Sequence, residues 1–84
     1  MAERKIGTVT HYFGRIGAAA IALTESLRVG DQIHLKGHTT DLTMTVDRMQ
    51  IEHRDVAEAK PGDDVAVHVA GKVREHDEVL RVEP

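Results

Sequence analysis

Cysteine is absent from the 84-residue chain, which removes disulfide staples, thiolate nucleophiles and every cysteine-ligated zinc or iron–sulfur site at once. Aromatic residues are almost absent as well: Tyr12 and Phe13 are the whole complement, with no tryptophan. A core must therefore be assembled from Val, Ile, Leu, Met and Ala, and an aromatic platform for stacking bases is ruled out. No apolar run approaches the roughly 18 residues of a membrane-spanning helix, and Met1-Ala2-Glu3-Arg4-Lys5 leads into nothing like a signal peptide. An excess of either charge is missing too. Eleven Lys+Arg against fourteen Asp+Glu give a net charge of −3, which argues against a broadly basic polyanion binder. The expectation is a soluble, cytoplasmic protein with no membrane contact.

What is present is ordinary globular composition, 40% hydrophobic and 30% charged, in a chain long enough for one domain over residues 1–84 and no second. A domain of this size buries only about 60% of the surface its unfolded chain exposes, so its core is small. The charge is divided unevenly: residues 1–42 carry five basic and four acidic groups, residues 43–84 six and ten.

The texture is that of short strands and turns. Lys5 to Phe13 reads as a strand of β-branched and aromatic types closed by Gly14. Ile16 to Leu23 (IGAAAIAL) is too short for a typical helix, although alanine favours one. It reads as a strand whose small side chains let neighbours approach closely, with helix as the alternative. Gln32 to Lys36 alternates cleanly. In Thr40 to Ile51, Leu42, Met44 and Val46 share one face, but Met49 and Ile51 resume one position out of phase. A period of two cannot do that without a bulge or sharp bend near Asp47-Arg48. His53 to Lys60 reads as a polar connection with room for one helical turn. Asp64 to Ala70 places Val65, Val67 and Val69 opposite His68, and Glu78 to Val82 is the last strand. Six strands in this spacing imply an all-β fold, a small barrel or sandwich.

One pattern recurs. Leu27-x-Val29-Gly30-Asp31-x-Ile33, Ala59-x-Pro61-Gly62-Asp63-x-Val65 and Val73-x-Glu75-His76-Asp77-x-Val79 share the form apolar, x, x, Gly or His, Asp, x, apolar. Glycine supplies turn geometry, the carboxylate accepts nearby backbone N–H groups, and the last apolar residue re-enters the core.

With Gly7-Thr8-Val9 ahead of them, these segments give the chain a resemblance. It resembles the second, β-barrel domain of translation GTPases of the elongation-factor-Tu type, over about residues 5–83. Gly37-His38-Thr39-Thr40-Asp41 and Met49-Gln50-Ile51-Glu52-His53 look like a group of short stand-alone translation-factor-like proteins, and related segments resemble the C-terminus of collagenase-like peptidases. The resemblance implies a six-stranded antiparallel Greek-key β-barrel and a binding role toward RNA or a ribonucleoprotein. It does not imply GTP hydrolysis, because no phosphate-binding G-x-x-x-x-G-K-[ST] loop is present. His76 departs from the pattern by replacing the glycine of the last turn.

Candidate sites follow. Arg15, Lys72, Arg74 and Arg81 are the expected RNA contacts, and they would act mainly on phosphates. His38, Thr39, Thr40 and Asp41 form a polar loop that could grip a ligand or simply close a hairpin. The six histidines are scattered without helical metal-ligand spacing; His34, His38, His53 and Asp41 are the set that could converge. Ser26, the only serine, lacks a nucleophile-elbow context. The reading is a non-catalytic binding module without metal or cofactor, docking on RNA or a ribonucleoprotein. The alternative is a protein-interaction module acting in trans on a larger enzyme such as a peptidase.

Overall fold

The structure, a computed structural model, describes residues 2–83. Ten strands are present: β1 (Ala2–Phe13), β2 (Ala18–Leu23), β3 (Leu27–Arg28), β4 (Gln32–Lys36), β5 (Asp41–Thr45), β6 (Met49–Ile51), β7 (Arg54–Val56), β8 (Glu58–Ala59), β9 (Asp64–His68) and β10 (Glu78–Glu83). Among the described residues there is no helix, so none is long and apolar enough to cross a membrane. The all-β expectation holds, and Ile16–Leu23 resolves as strand from Ala18 onward rather than helix.

The expected six-stranded closed barrel is not what the ladders describe. Eight strands form one antiparallel sheet in the order β5-β4-β10-β1-β2-β9-β6-β7, and β3 pairs with β8 separately. No ladder joins the edges β5 and β7 among the described residues. Because β3 leads into β4 and β8 follows β7, the small pair ties the two ends of the large sheet together. Arg28 Nε donates to Glu58 Oε2 at 2.8 Å across that pair.

The count differs because two segments do more than their sequence advertises. The phase slip after Val46 is absorbed by a complete break: the chain leaves the β4–β5 ladder, and β6 pairs with β7 and β9 instead. His53–Lys60 contains no helical turn; it supplies β7 and β8. Met49 pairs opposite Val56 and Ile51 opposite Arg54, leaving Glu52-His53 as a two-residue loop with φ of 51° and 64°. That is type I′ geometry, normally given to Asn-Gly.

Among the described residues sixteen apolar ones are buried, including Ile6, Val9, Ile21, Leu27, Ile33, Leu35, Val46, Met49, Val65, Val67 and Val79. Val65, Val67 and Val69 are inside and His68 outside, as the alternation requires. Leu42 and Met44 lie on the edge strand β5 and are only half-buried. Strand β1 turns its core residues inward at odd spacings, Ile6, Val9 and then Tyr12. Period two forbids this unless an extra residue intervenes, and the ladder shifts register twice, between Lys5 and Gly7 against β10 and between Val9 and His11 against β2. At Gly7 a Cβ would lie 2.6 Å from the Ala22 carbonyl oxygen, so glycine is what lets β1 and β2 approach there.

The three Gly-Asp turns share one geometry. The backbone N–H groups of Arg28, Lys60 and Arg74 donate to the Oδ2 atoms of Asp31, Asp63 and Asp77 at 2.9, 2.8 and 2.8 Å. Each Asp N–H returns a bond to the same residue's carbonyl, at 3.1, 3.0 and 3.2 Å. Gly30 and Gly62 hold φ of 100° and 90°, and His76 takes φ 73° in the equivalent place. A positive φ at the third position with this closing bond is a type II turn. Their carboxylates are committed to the backbone.

Candidate interaction surface

The outward face of β2, β9 and β6 is built from small side chains. Since β2 alternates, Ala19 and Ile21 enter the core while Ala18, Ala20 and Ala22 face out; Ala66 of β9 lies opposite Ala20. With Gln50 of β6, Ala18, Ala20 and Ala66 floor two adjoining depressions of about 150 and 290 Å³ that share Ile16, Gln50 and Ala66. Over this floor stand two large apolar side chains that folding leaves in water, Phe13 at 42% and Ile16 at 71% exposure. They flank the β1–β2 turn, whose Ile16 and Gly17 N–H groups both donate to the Phe13 carbonyl, at 3.3 and 3.0 Å. Ile16 is therefore presented on a fixed backbone. The sequence places Ile16 inside a strand with the core; it lies in the turn instead. The signal available beforehand was alanine at successive alternate positions, which buries almost nothing on that face.

The rim is polar. At one end Arg48 Nε donates to Asp55 Oδ1 at 3.2 Å, and His68 Nδ1 lies 3.0 Å from Asp47 Oδ1. Hydrogen bonds from Gln50 and Arg48 hold the Asp55 carboxyl below the usual carboxylate range. At the other end stand Glu52, His53 and Asp64.

The predicted polar loop is divided by the structure. Gly37–Thr40 closes the β4–β5 hairpin, with the Gly37 N–H donating to the Thr40 carbonyl at 2.9 Å and Thr40 buried. His38 and Thr39 remain exposed and line a cleft of about 250 Å³ with Arg74, Glu75 and His76. Asp41 turns to the other side, where His34 Nε2 lies 2.5 Å from its Oδ1 while Nδ1 lies 2.7 Å from Glu3 Oε2. Those hydrogen bonds, Asp41's first and then Glu3's, raise the His34 pKa above its ordinary value. The two carboxylates bind opposite nitrogens of one ring, so they share no point where an ion could sit, and no metal-holding cluster occurs among the described residues.

The four basic residues lie on three segments of the chain. Arg74 lines the cleft with His38. Arg15 is in the β1–β2 turn, and Lys72 is exposed on the connection between β9 and β10. Arg81 is half-buried and engaged, its guanidinium donating to the Ser26 carbonyl at 2.7 Å and to Glu83 Oε1 at 3.0 Å.

The all-β fold is shared with solved structures, and the sequence resembles part of a longer curated protein. Two solved structures of the C-terminal domain of a Geobacillus thermoleovorans putative U32 peptidase, one a selenomethionine variant, superpose with TM-scores of 0.88 and 0.86. They cover 95% and 94% of this chain and 93% and 99% of theirs, at 18% and 20% identity. An uncharacterized protease of Methanocaldococcus jannaschii is 40% identical over 76 residues, covering 89% of this chain. The chain spans only 19% of that relative's length. No family model matches the chain.

These findings correct the translation-factor reading. The relative and the structural neighbours are peptidase-type, so an elongation-factor identity and an RNA-binding role for Arg15, Lys72, Arg74 and Arg81 are withdrawn. The Gly-Asp turns, which carried much of the resemblance, report turn geometry rather than a ligand. The likeness to collagenase-like peptidases stands.

Proposed function

We propose that this chain is a non-catalytic interaction module that seats on the body of a U32-type peptidase, as part of one polypeptide or in trans. The observation that supports the reading is the match to a stretch amounting to a fifth of a protease-type relative, a size that leaves the chemistry to the rest of such a protein. The site contents agree. Where His34 and His68 are hydrogen-bonded, their partners are carboxylates. The three turn aspartates are occupied by backbone N–H groups. Ser26 contributes its carbonyl to Arg81.

The test is titration calorimetry of the purified chain against a U32-type peptidase from the same genome, beside a casein-hydrolysis assay of the chain alone. Saturable binding with no hydrolysis is expected. Absence of heat at high micromolar concentrations, or hydrolysis that co-purifies with the chain, would overturn the reading.

A further inference from the structure

We propose that the trough over β2, β9 and β6 is where the peptidase body seats, and that it receives an apolar ridge flanked by lysine or arginine; this inference rests on the function proposed above. The floor supplies the shape. Ala18, Ala20 and Ala66 leave room that larger side chains would fill, and depressions of 150 and 290 Å³ hold one or two protruding aliphatic or aromatic groups rather than an extended small molecule.

The walls supply the driving force. Phe13 is half of the chain's aromatic complement, and together with Ile16 it remains in water on a turn fixed by two backbone hydrogen bonds. The main chain that presents them therefore needs no further ordering on binding.

The rim supplies the sign of the partner's charge. Of the side chains that line the trough, Glu52 and Asp64 are acidic, and the one Lys or Arg among them, Arg48, is held by Asp55. Among the described residues Glu52 and Asp64 make no ion pair, so both are free to meet a cation. An apolar centre within an acidic rim is complementary to a basic-flanked knob.

The β6–β7 hairpin points the same way. Glu52 and His53 occupy type I′ positions at φ 51° and 64°, which Asn-Gly would occupy with less strain. Both residues line the trough.

The test places the photo-crosslinking residue p-benzoylphenylalanine in the full chain at Phe13, and separately at Thr43 on the outer face of the β5 edge, in the host's own cells. Captured polypeptides are identified by mass spectrometry. A U32-type peptidase captured from position 13 and not from 43 is the expected result. Capture from 43 only would overturn the trough while leaving the proposed function standing. Capture of a second copy of this chain from position 13 would overturn the occupant. No peptidase from either position would overturn both readings.

Two variants complete the test by titration against the captured peptidase. Ile16→Asp should weaken binding by about tenfold or more with an unchanged melting temperature. The pair Glu52→Asn and His53→Gly should raise the melting temperature and still weaken binding severalfold, a combination that a merely structural hairpin would not produce. Unchanged affinity in both variants would remove the trough from the interface.

Discussion

Three copies of one turn in a single small domain allow a hydrogen bond to be weighed in three environments. Asp31, Asp63 and Asp77 each accept a backbone N–H through Oδ2 at 2.8–2.9 Å, but only Asp77 is buried, at 5% exposure. Replacing Asp31 or Asp63 with alanine removes a bond whose donor can turn to water, so the loss should be about 1 kcal/mol. Replacing Asp77 leaves the Arg74 N–H without a partner and with restricted access to water, and also opens a small void, so about 2–3 kcal/mol is expected. With a urea dependence of about 1 kcal/mol/M for a chain this short, the midpoints should fall by roughly 1 M for the first two and 2–3 M for the third. Chemical denaturation followed by far-ultraviolet circular dichroism reads this directly. A neighbouring glycine sharpens the experiment, because a Cβ at Gly37 would land on the Asp77 carboxylate. Gly37→Ala should be severe in the parent and much milder in the Asp77→Ala background, a coupling visible in a double-mutant cycle. Equal costs at the three aspartates, or additive effects of Gly37→Ala and Asp77→Ala, would refute the argument from burial.

Further outcomes follow from the same geometry. Val67 is fully buried, paired between Ala19 of β2 and Met49 of β6, so Val67→Ala should cost ~1–3 kcal/mol in the same assay; a cost below 0.5 would contradict its place in the core. His76 holds φ 73° where its two sibling turns carry glycine. His76→Gly should therefore stabilise by about 0.5–1 kcal/mol once glycine's greater unfolded entropy is subtracted; a lower urea midpoint would contradict this. His34 has a folded-state pKa above the ordinary 6.5. Its contribution is therefore fully present below pH 6.5 and is lost as pH rises through the folded value. Melting temperatures of the parent minus those of His34→Asn should shrink between about pH 6 and pH 9, and a difference that grows would refute the assignment.

The strands were legible in the sequence wherever alternation is local. The slip between Val46 and Met49 required a bulge or sharp bend, and the strand is interrupted there. The turn aspartates were legible because their spacing sets a bond within four residues. Sheet order was not, since β6 and β7 are three residues each and gain their identity only from partners such as Val67 and Val56. The trough was hidden for a different reason. Ile16 is as apolar as any core residue, and only the placement of the turn reveals that it faces water. The Gly-Asp repeats pointed to a translation factor because they encode a tight turn directly ahead of a strand, a requirement that proteins of unrelated function share.

Strand β10 lies inside the large sheet, between β4 and β1, although it follows the other nine described strands in sequence. It is the seam of the sheet. Without it, the order separates into a two-stranded piece, β5-β4, and a five-stranded piece, β1-β2-β9-β6-β7. Because Ala2 pairs opposite Glu83, the seam closes only after β2 to β9 have been made and the long loop they form has been closed. Acquisition of the fold is thus governed by a late, long-range event, the regime in which β proteins fold over milliseconds to seconds. Until β10 arrives, β1 and β4 each expose a row of unpaired backbone groups to any strand that reaches them first. During synthesis, the period of greatest risk of mispairing therefore lasts until residues 78–83 become available to pair.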